Sequence, residues 1–433
     1  MSEFSPFRGV RYDCERLGTD LGQVVAPPYD VIDDDQRAAL EAHHPQNSVR
    51  LILPQGPTAD DTDPSARAAA AGTGPATRYA AAAALLEAWQ GAGVLRPDAD
   101  ARYYGYRMDF TGPHGDARHT IGVLGALHLP ARPGEGDILP HERTLPKAKS
   151  DRLDLLRATR MNLDPIWGLS PASGLTELID TSVELCSAID EVGNRHRLFA
   201  IDDPARIAAI SAAVAGAPLV LADGHHRFET ACTYRDERRA GRGGAVGDPG
   251  ADAILCFVVE LVDHELCIQA IHRLVALPPG LDVVARLGDA FDLRILGANG
   301  PGGVDALEAA MHDEGGIGLA WGDHLLLATP RREITEPALA ASEPEAVRGT
   351  DAALVEAVVV DRLGPDARWT YRHDLHEVAA LAAKTPDTLG LLLRPVSVAD
   401  TRAAAVARVR MPQKTTFFYP KPRTGMVFRS LDL

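Results

Sequence analysis

No stretch of this 433-residue sequence runs for about 18 apolar residues without a break, so nothing in it reads as a membrane-spanning helix. The opening MSEFSPFRGVRYDCERLG has no apolar core of a secretory signal, and a soluble cytosolic protein is expected. Cysteine is scarce. The five present (Cys14, Cys186, Cys232, Cys256, Cys267) are scattered, odd in number and form no CxxC pair, which excludes a disulfide framework and a cysteine zinc site and leaves small buried residues. Positive charge is also short, with 44 Lys and Arg against 60 Asp and Glu and a formal charge of −16. Such a surface repels a phosphate backbone and argues against general nucleic-acid binding, while leaving room for a local basic pocket that holds a small anion. Neither a GxxxxGK[ST] loop nor a GxGxxG ahead of a V-A-I-K strand occurs, so the usual cradles for ATP are missing. There is no tandem repeat.

What is present is mixed in texture. Residues 57–84 offer little to a core until Leu85, Leu86 and Trp89 fall at helical spacing, which predicts a surface loop and then a helix over about Thr77 to Gln90. RYYGYRMDF and HTIGVLGALHL read as a hairpin around TGPHGDAR. RHRLFAIDD reads as a strand, PARIAAISAAVAG as a helix opened by its proline, and PLVLAD as a strand again. AILCFVVELVD and LCIQAIHRLV read as two further strands joined through DHE. Strands and helices in alternation predict a mixed α/β chain of several layers. Its length exceeds what one core organises. Three regions are expected: an N-terminal α/β region over 1–135, a central region over 136–276, and a C-terminal α/β region over 277–433 whose last strand returns toward the site.

The densest chemistry lies in LVLADGHHRFETA, residues 219–231. A strand ends at Asp223, Gly224 permits a tight turn, and a helix starts near His225. The first N–H groups of a helix are unpaired and carry about half a positive charge, so an anion is welcome there and Arg227 is placed to clamp it. Glu229 and Thr230 sit on the next turn. The alternative is that Asp223 caps the helix while the histidines pair locally. Adjacent His225 and His226 point in different directions from a helix, so they do not share a zinc ion. Magnesium needs only a carboxylate or two, and Asp223 or Glu142 suits it if a phosphate completes the shell.

A second charged block, HERTLPKAKSDRLDLL, carries His141, Glu142, Lys149 and Arg152 before an amphipathic helix with Ser150 as N-cap. Alone it reads equally well as a solvated face. Beside the first block it would supply cations for the oxygens of a transferring phosphoryl and a carboxylate near the attacking hydroxyl. Second-tier candidates are Asp30 in VVAPPYDVI, Arg50 at the start of an apparent strand in NSVRLILP, His272 and Arg273 in IHRLV, and Lys414 in MPQKTTFFYPK. Strand alternation sends His272 and Arg273 to opposite faces, so at most one looks into a site. No chemistry stands out over 277–350.

The blocks FSPFRGVRY, VVAPPYDVI, NSVRLILP, HERTL, KSDRLDLLRATRMNLDPIWGL, LADGHHRFETA, IHRLV and MPQKTTFFYPK, in this order, resemble a bacterial and archaeal family first catalogued as a domain of unknown function. Pyrophosphate-dependent L-serine kinase activity has been assigned within it. The short run from Asp223 to Arg227 is also similar to the phosphate-binding motif of the ParB and sulfiredoxin-like superfamily. Phe228 stands where Tyr is common. The resemblance implies a ParB/sulfiredoxin-like phosphate-binding strand–turn–helix in the central region. It also implies an enzyme that makes O-phospho-L-serine from L-serine and pyrophosphate with Mg2+. Gly224, His225, Arg227, Thr230, Lys149 and Arg152 are then the phosphate-binding set, and Asp223, His226 and Glu142 the catalytic candidates. A phosphoserine phosphatase, a nucleotide-dependent serine kinase and a ParB-like nucleic-acid-binding regulator remain the alternatives.

Overall fold

A computed structural model describes residues 3–17, 19–55, 75–113, 115–132, 136–140, 142, 149–241 and 247–433. The expectation for His141 lies outside them, as does the Lys149 side chain. The chain forms two compact units, the first from residues 1–140, 144–267 and 420–433, the second from residues 141–143 and 268–419. It is a mixed α/β protein. No helix among the described residues is long and apolar enough to cross a membrane.

The first unit is built on a nine-stranded sheet. Its strands are β1 (Phe4–Ser5), β2 (Tyr103–Thr111), β3 (Ala117–His128), β4 (Ile138–Pro140), β5 (Ile166–Ser170), β6 (Glu184–Ile189), β7 (Arg195–Ile201), β8 (Leu219–Asp223) and β9 (Ala253–Glu260). The order is β4-β8-β5-β9-β3-β2-β7-β6, with β1 added to β3. The expected hairpin is present as β2 and β3, paired antiparallel from Tyr104 opposite Leu124 to Thr111 opposite Ala117. β3 pairs β9 on its other side, so the sheet runs without interruption across residue 135. β8 runs parallel to β4 and antiparallel to β5. A second sheet of four short strands includes Gly9–Tyr12 and Phe428–Ser430.

Four helices of this unit matter below: α1 (Pro75–Gly91), α2 (Lys149–Thr159), α3 (Pro204–Ala215) and α4 (His225–Gly241). α3 starts as its sequence asks, with the Asp203 side chain accepting from Arg206 N and Pro204 in the first turn. α2 begins at Lys149, so Ser150 lies inside its first turn. Ile210 and Val214 of α3 and Phe228, Ala231 and Cys232 of α4 join Ile166, Leu219, Leu221 and Ile254 of the sheet in one core. The expected strand at NSVRLILP is instead the short helix Val49–Ile52. Asn47 Oδ1 accepts from Val49 N there, a local hydrogen bond that competes with extended pairing. Of the cysteines, Cys232, Cys256 and Cys267 are buried as expected, Cys186 is half-buried and Cys14 is exposed.

The second unit carries a six-stranded sheet, paired antiparallel throughout, in the order Phe291–Ala298, His324–Pro330, Ile317–Trp321, Thr388–Leu392, His272–Ala276, Arg368–Arg372. Alternation sends Leu319, Ala328 and Leu391 into one core and Ala320, Leu327 and Leu392 into another. Both faces are therefore covered by helices, which is why residues 277–350 carry packing and little exposed chemistry.

Phe228 is fully buried where α4 meets β5 and β8. Phe228→Ala is expected to destabilise the first unit by about 3–5 kcal/mol, read from urea unfolding.

Candidate functional site

β8 and β5 pair regularly up to Leu221, slip in register, and resume with Asp223 opposite Trp167. The chain then turns at Gly224, whose φ of +84° is a left-handed value that side chains with a Cβ rarely adopt. An added Cβ there would also lie 2.8 Å from Ile166 Cγ2. α4 follows at once, preceded by Gly224, which has no side chain with which to cap it. Asp223 is used differently from a cap. Its Oδ1 accepts from Lys421 Nζ at 2.6 Å and its Oδ2 from Arg227 Nη2 at 2.7 Å. Burial alone would raise this carboxyl, but Lys421 and Arg227, with a contribution from His225, outweigh it and hold it well below the usual range.

Arg227 reaches further, donating through Nη1 to the Pro165 carbonyl. It thereby ties the first turn of α4 to the segment that leads into β5. Asp164, one residue before that proline, is buried and accepts from the Thr424 hydroxyl. Burial pushes its carboxyl up to about 6 against the pull of Arg227 and Arg152, and Asp30 and Asp223 add to the rise. Arg152 on α2 stacks over the Tyr29 ring at 4.2 Å, donates to the Ile52 carbonyl at 2.7 Å and pairs with Asp151. Asp151 in turn accepts from Arg78 and Tyr79 of α1. Burial raises the Tyr29 phenol to about 12, with Arg227 opposing and Asp30 adding. The Nδ1 of His226 and the Oγ1 of Thr230 are buried without a hydrogen-bond partner among the described residues.

The first unit therefore brings together Asp223, Gly224, His225, Arg227, Thr230, Arg152 and the exposed Asp30, with His226 and Glu229 on the same helix. Arg50 is occupied elsewhere, donating to the Glu41 carbonyl at 3.1 Å. The remaining candidates lie in the second unit. Glu142 accepts from the backbone N–H groups of Lys414, Thr415 and Thr416 and from the Thr416 hydroxyl, at 2.8–3.1 Å. It anchors a turn in which Lys414 has φ +57° and lies before the strand Thr416–Tyr419, its side chain in solvent. His272 and Arg273 are both buried. The ring Nδ1 of His272 accepts from Leu393 N, and Arg273 stacks over Tyr371. Burial, reinforced by Arg273, lowers His272 to about 4, so it is neutral near pH 7.

Sequence reasoning missed Tyr29, Asp164, Lys421 and Thr424. Lys421 had a readable signal. It stands between Pro420 and Pro422, a rigid setting that costs a solvent lysine freedom for no gain.

The sequence from residue 4 to residue 353 matches a family described as "Protein of unknown function (DUF1015)". This chain belongs to that family. Comparison with the curated proteins gives no match. Among solved structures, a free serine kinase in complex with AMP is similar to this DUF1015 chain at 11% identity and a TM-score of 0.37, covering 68% of this chain and 89% of that one. A conserved hypothetical protein from Pyrococcus furiosus is similar at 11% identity and 0.36, covering 68% and 93%. SbnI with a C-terminal truncation, from Staphylococcus aureus, is similar at 11% and 0.35, covering 66% and 82%. Similarity at this level assigns no activity to the DUF1015 chain.

The raised carboxyl of Asp164 has a consequence for stability. A carboxyl whose folded value lies above its unfolded one contributes stability below pH 4 that is lost as pH rises through about 6. Asp164→Asn is therefore expected to be the more stable protein at pH 8, by up to about 3 kcal/mol, with the difference shrinking toward pH 4. Urea unfolding of both proteins across that range measures it.

Proposed function

We propose that the DUF1015 chain is a small-molecule phosphotransferase that moves a phosphoryl group from diphosphate to the hydroxyl of free L-serine. The observation that carries this reading is the gathering of Arg227 and Lys421 with Asp223 at the start of α4, with Arg152 and Asp164 beside them. Cations and unpaired helix N–H groups are what the equatorial oxygens of a transferring phosphoryl require. The serine oxygen attacks the terminal phosphorus, the bridging P–O bond breaks, and orthophosphate leaves while the hydroxyl proton passes to a protein group.

Asp223 is a weak proton acceptor, because two cations hold it ionised; its part is to position Arg227 and Lys421. His226, with an unpartnered Nδ1, is the stronger choice for the proton. Glu142 would have to release its turn to serve. Magnesium enters as the counter-ion of diphosphate, that is, as part of the substrate. Both oxygens of Asp223 and of Glu142 already have donors. Among the described residues no group of three His, Cys, Asp or Glu side chains is arranged to hold an ion. The missing ATP cradles favour a compact donor.

Purified protein supplied with L-serine, magnesium and either diphosphate, ATP or ADP is expected to form phosphoserine with diphosphate. Arg227→Ala is expected to lower kcat/KM by about 10²–10³, with circular dichroism confirming that it folds. Phosphoserine from a nucleotide alone would move the donor; hydrolysis of added phosphoserine with no synthesis would make the protein a phosphatase and overturn the proposal.

A further inference from the structure

Beyond Arg227, on the side of α2, the first unit forms a half-open cavity of about 60 Å3. Its polar lining comes from Arg152, Asp164, Arg227 and Thr230, and its apolar wall from residues such as Leu155, Met161 and Ile254. One of these polar groups is buried and unsatisfied: Thr230 is 4% exposed and its hydroxyl has no partner among the described residues. Asp164 is 8% exposed and accepts on Oδ1 from Thr424, which leaves Oδ2 open to a further donor. Buried polar groups are normally paired, so a hydroxyl and a carboxylate oxygen of this kind lining one cavity are placed to bond water or a polar ligand.

The charges say which ligand. Arg152 is already balanced by Asp151, and Arg227 by Asp223, so Asp164 is the carboxylate of the lining that has no cation bonded to it among the described residues. A phosphate in the cavity would set its charge against Asp164. A zwitterion would not. Each guanidinium has five N–H groups, of which Arg152 uses three and Arg227 two on protein acceptors, so both retain donors. The cavity is half-open, and its inner space holds roughly four to six water positions, enough to seat the charged groups of a small molecule.

We propose that this cavity is the acceptor subsite and that it selects a small α-amino acid as its zwitterion, Asp164 receiving the ammonium, Arg152 and Arg227 the carboxylate, and Thr230 a polar side-chain atom. The choice of serine among amino acids rests on the phosphotransferase reading above; the selection of a zwitterion does not. The groups that set the charge of Asp164 are Arg227 on α4, Arg152 on α2, Asp223 at the end of β8, and Asp30. An ammonium held by the ionised form must weaken its grip as that form is protonated.

Calorimetric titration of the full chain with L-serine, a panel of other small α-amino acids, D-glycerate, ethanolamine and magnesium diphosphate tests this. Serine is expected to bind at pH 8 at least about tenfold more tightly than glycerate, which lacks the ammonium, or ethanolamine, which lacks the carboxylate, and to weaken at pH 5. Asp164→Asn is expected to lose at least about tenfold in serine affinity and its pH dependence, while diphosphate affinity does not fall. Thr230→Val keeps every charge and is expected to weaken serine by about threefold to tenfold, a test that stands if the Asn variant does not fold. Equal affinity for glycerate, or serine binding unchanged in Asp164→Asn, overturns the inference, as does failure of every amino acid to bind. Binding of another amino acid, but not serine, through Asp164 would leave it standing and overturn the serine kinase reading instead.

Discussion

One half-buried carboxylate organises the first unit. Asp223 lies at the end of a strand where little water reaches it, and a charge in that position is favoured by partners of opposite sign at hydrogen-bond distance. Arg227, one helical turn on, supplies the local partner, and Lys421, which lies far along the sequence, supplies the other. The second pairing commits the end of the chain to the strand–turn–helix. Because Arg227 also reaches the Pro165 carbonyl, β5, β8, α4 and the C-terminal segment are fixed by a single cluster. Gly224 makes this possible, since the abrupt change of direction between strand and helix needs a positive φ.

The C-terminal segment repeats the device. Arg423 pairs with Asp190, which also bonds His196, and the Tyr106 hydroxyl bonds both the His196 ring and Arg423 N. Burial would raise Asp190, but His196 and Arg423 outweigh it and hold it well below its ordinary value. Thr424 bonds the backbone of Ala26, accepts from the Ser48 hydroxyl and donates to Asp164. The interactions of Lys421, Arg423 and Thr424 thus join strands, an N-terminal turn and the candidate site. Networks of this kind are rigid when every member is satisfied. In the candidate site, by contrast, the Thr230 hydroxyl and His226 Nδ1 are buried without a hydrogen-bond partner among the described residues.

Local elements were legible because local chemistry specifies them. Asp203 and Pro204 start a helix wherever they stand before an amphipathic run, Gly91 and Gly93 end one, and the alternation of Tyr103–Thr111 and Ala117–His128 around a turn makes a hairpin. The strand expected at Arg50 failed for an equally local reason, the competition of Asn47 for the Val49 amide. The motif around Gly224 was legible as an anion-friendly turn, yet the role of Asp223 was not, because its partner Lys421 lies in a block where Lys414 looked equally eligible. Alternation cannot separate a lysine in a turn held by Glu142 from one clasped between prolines against a distant carboxylate.

By itself the sequence determined most of the secondary elements, the strand–turn–helix with its concentration of charge, and the absence of the standard nucleotide loops, since each depends on residues within one or two turns of one another. Only the tertiary structure decided which charges meet. Asp164 reads in sequence as an ordinary residue before a proline; its raised pKa and its place in a cavity come from burial beneath α2 and α4. Glu142 and Arg152, ten residues apart in one charged block, belong to different units. Burial and long-range pairing are properties of the packed chain, and the electrostatic energy that gives these residues their chemistry exists only once water has been removed from around them.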